Sequence, residues 1–160
     1  MAIEGANRKR HTDEELRAIV PHVQYEIDVF FAAARLLDPD LPEDWKLRSL
    51  LIEGFALHAR NLFLFFYGDD KARPDDVLAE DFFDSPKAWR EARPRFPKPL
   101  SVLAVRVAKE VAHLTYARAG VRQEEKGWNI PQIVELTSLI LTRFVNKLPA
   151  DRCAWFQRLK

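Results

Sequence analysis

The apolar residues of this chain fall into helical stretches separated by proline and glycine. After Thr12, the positions Leu16, Ile19, Val20, Val23, Ile27, Phe30, Phe31 and Ala34 recur near a 3.6-residue period. That spacing predicts a helix up to Leu37, where Asp38-Pro39 follows. Thr12 and Glu15 form a capping box at its start, each able to satisfy an orphan amide of the other. Pro21 lies inside this helix and is expected to kink it. A second helix is predicted over residues 42–68, opened by Pro42 and stopped by Gly68. Around it, Lys46, Ser49, Glu53 and Arg60 share one narrow stripe and nearly every other direction is apolar. Such a helix is expected at the centre of the fold.

From residue 69 to 99 the period breaks. Pro74, Pro86, Pro94, Pro97 and Pro99 punctuate short amphipathic pieces at 75–83 and 86–92. Val77, Leu78, Phe82, Phe83, Trp89 and Phe96 give this connector enough apolar surface to dock on a bundle. A third main helix is expected over 100–119, stopped by Gly120. A fourth opens near Asn129 with Pro131 in its first turn and runs through Ile133, Leu136, Ile140, Phe144 and Leu148. A short helix over 151–159 can follow. No convincing strand pattern or internal repeat interrupts this series. The expected fold is all-α: one domain over 1–160, a four- to five-helix bundle with a frayed lead-in over 1–11 and a long Pro-rich connector between the second and third main helices.

Composition narrows the function classes. The 160 residues suffice for one domain with a real core, and 25 basic against 24 acidic residues leave a net charge of +1. Nucleic-acid binding by bulk charge is disfavoured, although a local basic patch fits within a neutral total. Cys153 is the only cysteine, which removes an intrachain disulfide and a Cys-based metal cluster. Met1 to Arg10 is polar and lacks the apolar stretch of a signal peptide, and no uninterrupted apolar run reaches the roughly 18 residues of a membrane span. The expectation is a cytoplasmic protein with no membrane contact, no cofactor and no metal site.

Chemistry concentrates in the segment Arg106-Val-Ala-Lys109-Glu110-Val-Ala-His113-Leu-Thr-Tyr116. At α-helical pitch, Arg106 and His113 are seven residues and about 20° apart, so cation and imidazole share one flank. This pair suits metal-independent RNA cleavage, with imidazole moving protons and guanidinium stabilising charge on phosphate. A structural reading competes: Glu110 can pair with Arg106 at i,i+4 on a solvated helix edge. Arg17 and His22 form a second such spacing, but they lie about 140° apart with Pro21 between them.

On the second helix, Gly54, His58 and Asn61 are spaced i, i+4, i+7. They read either as a helix crossing, with Gly54 permitting close approach and the polar pair bonding to a neighbour, or as a polar pocket facing the Arg106/His113 flank. Glu53 and Arg60 read as an i,i+7 surface or interface pair. In the connector, Arg90, Arg93, Arg95 and Lys98 interleave with Trp89 and Phe96; Arg93 and Arg95 are candidate RNA contacts, set against a docked loop with solvated arginines.

An Arg followed after several residues by a His, on a late helix of a small all-α chain, resembles the HEPN superfamily. The strings KEVAHLTY and LIEGFALHARNL carry the same likeness. The resemblance implies an endoribonuclease of RNA metabolism, toxin–antitoxin or defence systems, with Arg106 and His113 catalytic near a homodimer interface. His58, Asn61, Glu110 and Tyr116 would form the supporting polar pocket. RNA and an antitoxin-like protein would be its partners. Where the family often has a polar residue after the Arg, this chain has Val107. The alternative is a non-catalytic helical interaction module of the same architecture.

Overall fold

The computed structural model describes residues 8–37, 44–112, 116 and 127–159, with backbone only at 71, 110, 112 and 157–159. The described residues are helical without strands: α1 (Asp13–Leu36), α2 (Trp45–Tyr67), α3 (Pro86–Ala92), α4 (Lys98–Arg106), α5 (Ile130–Lys147) and α6 (Ala150–Cys153). Short 3-10 turns occupy Gly68–Lys71, Ala79–Phe82 and Ala154–Leu159. The protein is an all-α helical bundle.

Local chemistry explains the ends. At α1, the Glu15 amide donates to the Thr12 hydroxyl at 3.2 Å and the Thr12 amide donates to Glu15 at 2.8 Å, completing the capping box. The Thr12 amide, and secondarily Lys9, holds the Glu15 carboxyl below its usual range. Pro21 does not break α1, which is helical throughout. Its missing N–H falls on an exposed turn, where water can serve the orphaned carbonyl. Asp44 caps α2, accepting from the amides of Lys46 and Leu47 at 2.9 and 3.4 Å. Asn129 caps α5, accepting from the Gln132 amide at 3.2 Å.

The core has one aromatic centre. Phe144 of α5 is fully buried and meets Phe65, Phe66, Phe82, Phe83, Trp89 and Phe156 edge-on. Each fully buried phenylalanine contributes about 1.5–3 kcal/mol, with a further increment of about 0.5–1.5 kcal/mol for a good ring pair. The connector is tied to the last turn of α2, whose Phe66 carbonyl accepts from Trp89 Nε1 and from Arg93, both at 3.0 Å. Those donors satisfy an orphan carbonyl that a helix end would otherwise leave to water.

Two sequence expectations are corrected. The third main helix is not α-helical over 100–119: after Arg106 the backbone winds as a π-helix over Val107–Ala112. Its i→i+5 bonds turn the chain less per residue than 100°, so α-helical phase does not hold across Val107–Ala112. His113 itself lies outside the described residues. In addition, α2 is not apolar core on all sides. Its Phe55, Ala56, Ala59, Leu62, Phe63, Phe65 and Phe66 are buried, but Trp45, Leu47, Leu50, Leu57 and Leu64 are exposed. Among the described residues, neighbouring elements cover only one side of it. By length and composition, Trp45–Asp70 is also apolar enough to cross a bilayer, with 39% of its 18-residue apolar window buried. The uninterrupted-run reading missed this because Lys46, Arg48, Glu53 and Arg60 are spread along the helix.

Candidate functional site

Two clefts bring polar side chains together, and they share no lining residue. The first lies between α1 and α2, encloses about 200 Å³ and is mostly apolar, with His22, Glu26 and Asn61 among its walls. Glu26 sits on α1 beside the buried stripe of Val23, Ile27 and Phe30. Its Oε2 lies 2.7 Å from His58 Nδ1 and accepts from Asn61 Nδ2 at 3.0 Å. The spacing of His58 and Asn61 puts them one turn apart on α2, so one carboxylate oxygen serves both. An ionised carboxylate only accepts, so Nδ1–H is the donor and, in the neutral ring, Nε2 is the basic nitrogen. The Tyr25 ring stands edge-on to His58 at 5.7 Å.

This geometry favours the helix-crossing reading of His58 and Asn61. Among the described residues, both bond across to Glu26 of α1. The Gly54 part of the crossing reading fails, because a Cβ built there would meet nothing within 4 Å. A mid-helix glycine costs about 1 kcal/mol relative to alanine, and no contact among the described residues requires it.

The second cleft, of about 410 Å³, lies between α4 and the start of α5, with Lys98, Arg106, Trp128, Asn129 and Gln132 among its lining. Arg106 ends α4. Its guanidinium carbon lies 4.4 Å from the Trp128 ring centroid, and its Nη1 donates to the Gly127 carbonyl at 3.1 Å. A guanidinium over an indole face is attracted by the ring quadrupole. The described lining contains two cations, and the N-terminal turn of α5 adds its partial positive charge through Asn129 and Gln132.

The remaining candidates are dispersed. Tyr116 is fully exposed and lines neither cleft, and the Glu110 side chain lies outside the described part of the structure. Arg93 is held by Asp69 through two contacts at 2.5 and 3.1 Å, by the Phe66 carbonyl and over the Tyr67 ring. Arg90 binds Glu80 in a fork at 2.6 and 2.9 Å, and Arg8 reaches Asp81 at 3.0 Å. Burial pushes the Asp69 carboxyl up, but the hydrogen bond and charge of Arg93, with Arg90, bring it below the usual range. Burial also pushes the Tyr67 hydroxyl up to about 12 against the opposing charge of Arg93. Arg95, by contrast, is exposed. Arg17 lies over Trp155 at 4.8 Å, while His22 lines the first cleft. Among the described residues, no group of three or more His, Cys, Asp or Glu is placed to hold a metal ion.

Sequence reasoning missed Glu26 and Trp128. Glu26 had a readable signal, since it flanks the apolar stripe one turn after His22; the 32 residues separating it from His58 hid the pairing. Trp128, just ahead of the Asn129 cap, had only its position beside a helix start. No protein-family model, curated protein or solved structure matches the chain.

Proposed function

We propose that this protein engages RNA at the cleft of Lys98, Arg106 and Trp128, as a HEPN-like endoribonuclease that needs no metal. The observation that carries the reading is the Arg106 guanidinium over the Trp128 ring at 4.4 Å, in a cleft that also contains Lys98. Phosphate is recognised by guanidinium and ammonium groups, and unstacked bases lie on aromatic and guanidinium planes. A cation already held at the cleft wall by the Trp128 ring and the Gly127 carbonyl is positioned before the ligand arrives, which lowers the entropic cost of binding. The chemical step assigned to this site is 2′-hydroxyl attack on the adjacent phosphate, which breaks the P–O5′ bond, leaves a 2′,3′-cyclic phosphate on one fragment and releases the other with a protonated 5′-hydroxyl. His113 moves the proton and Arg106 stabilises the developing charge.

The test is incubation of purified protein with mixed RNA in EDTA, alongside His113→Ala and Arg106→Ala. Cleavage that disappears in both variants supports the reading; no cleavage by the wild type, or cleavage indifferent to both substitutions, refutes it. A second reading, a non-catalytic interaction module, draws its support from the leucines that α2 leaves exposed.

A further inference from the structure

The cleft between α1 and α2 keeps polar atoms that the helix crossing does not use. Glu26 holds His58 and Asn61 through Oε2, and no described residue donates to its Oε1. Asn61 gives its Nδ2 to Glu26, which leaves its Oδ1 as an acceptor without a described donor. His22 precedes Glu26 by one turn of α1 and lines the same cleft, exposed and without a hydrogen bond to any described residue. A neutral imidazole adds one basic nitrogen to the set. The walls around these groups are apolar: Ile19 and Val23 of α1, Leu62 and Phe65 of α2 and Val77 of the connector. The described lining contains no lysine or arginine, in contrast to the cleft of Arg106.

From these acceptors and walls we infer that the α1–α2 cleft is a binding site for a small primary amine with a hydrocarbon body. An ammonium group has three N–H donors and no acceptor, which matches a carboxylate oxygen, an amide oxygen and an imidazole nitrogen. A carboxylate ligand would meet Glu26 with like charge, and an alcohol could donate to only one of the three acceptors. Asn61 cannot reverse its amide to suit another ligand, because only Nδ2 can donate to the Glu26 carboxylate. The apolar walls require the hydrocarbon body and the space limits it: the cleft of about 200 Å³ holds roughly seven water-sized groups at ~30 Å³ each, the size of hexylamine. One oxygen of Glu26 fastens the helices and the other is offered to the ligand. The network that fixes the crossing therefore also positions the carboxylate before binding.

The site is independent of the RNA reading, because the two clefts share no lining residue. Titration of the full chain with hexylammonium at neutral pH, followed by backbone amide shifts in NMR, tests it. Shifts are expected at Val23, Glu26 and Leu62, saturating with a Kd on the order of 1 mM, as for a fragment of this size. Hexan-1-ol should bind about tenfold more weakly, and hexanoate should produce no saturable shift at these residues. In Glu26→Gln the side-chain oxygen stays with His58 and Asn61, so the amide nitrogen turns to the cleft. Hexylammonium affinity is then expected to fall at least about tenfold, with that of hexan-1-ol unchanged. His22→Ala, a change at an exposed position, should weaken the amine about threefold. No saturable shift with hexylammonium, shifts only away from the cleft, hexan-1-ol or hexanoate bound as tightly as the amine, or a Glu26→Gln protein that keeps the amine affinity would overturn the proposal. Should Glu26→Gln fail to fold, His22→Ala decides in its place, and an unchanged affinity there counts against the site.

Discussion

The two clefts contain similar polar chemistry arranged to opposite ends. Between α1 and α2, Glu26 gathers His58 and Asn61 onto one oxygen, and the three groups satisfy one another where two helices cross. Between α4 and α5, the Arg106 guanidinium lies over the Trp128 ring with Lys98 in the same wall, so cationic and aromatic surfaces line one space. Polar groups that satisfy each other specify how helices pack, whereas two cations beside an aromatic ring in one cleft make a surface suited to an anion. The account assigns a structural network to the first cleft and RNA to the second.

The sharpest way to separate them is Arg106→Ala. RNA cleavage in EDTA is expected to fall at least about a hundredfold, as for loss of a group that stabilises developing charge. Its stability in urea denaturation should fall by no more than about 1–2 kcal/mol, the worth of its partly exposed bond to Gly127 and its contact with Trp128. Glu26→Ala is expected to do the reverse. It leaves His58 Nδ1 and Asn61 Nδ2 without their acceptor, at a cost of about 1–3 kcal/mol in urea denaturation, with RNA cleavage unchanged. If Glu26→Ala abolished cleavage at intact stability, the roles of the two clefts would be exchanged.

A smaller effect concerns pH. The Asp69 carboxyl is held below the usual aspartate value of about 3.9, so the unfolded chain takes up the proton first as pH falls. The stability Asp69 contributes is therefore present above that value and is lost as pH drops through the lower folded value. Arg93→Ala should flatten this acid limb in urea midpoints measured across the range, marking Arg93 as a connector clamp. The smallest expected effect is that of Arg95→Ala, an exposed change worth less than about 0.5 kcal/mol to the fold. If Arg95→Ala nevertheless weakened RNA binding as much as Arg106→Ala, the connector would belong to the ligand surface.

What was legible in the sequence follows the range of the interactions. The capping box of Thr12 and Glu15 and the stop of α2 at Gly68 depend on neighbours within a few positions, and periodicity alone identified an all-α chain. The π-helix after Arg106 was not legible, because Leu100, Leu103 and Val107 continue an α-helical stripe into it. Long-range pairings were hidden for the same reason. Glu26 with His58, and Arg8 with Asp81 across 73 positions, depend on how helices cross and not on local spacing. The apolar circumference of α2 was read as burial, yet hydrophobicity alone does not say whether the covering surface comes from the same chain.

The most direct measurement is a titration of labelled single-stranded RNA, followed by fluorescence anisotropy, with wild type, Arg106→Ala and Glu26→Gln side by side. The account predicts binding weakened on the order of tenfold or more by the first substitution and unchanged by the second, since one charged contact to RNA is worth about 1–3 kcal/mol. Equal binding by wild type and Arg106→Ala, or a loss confined to Glu26→Gln, would contradict it.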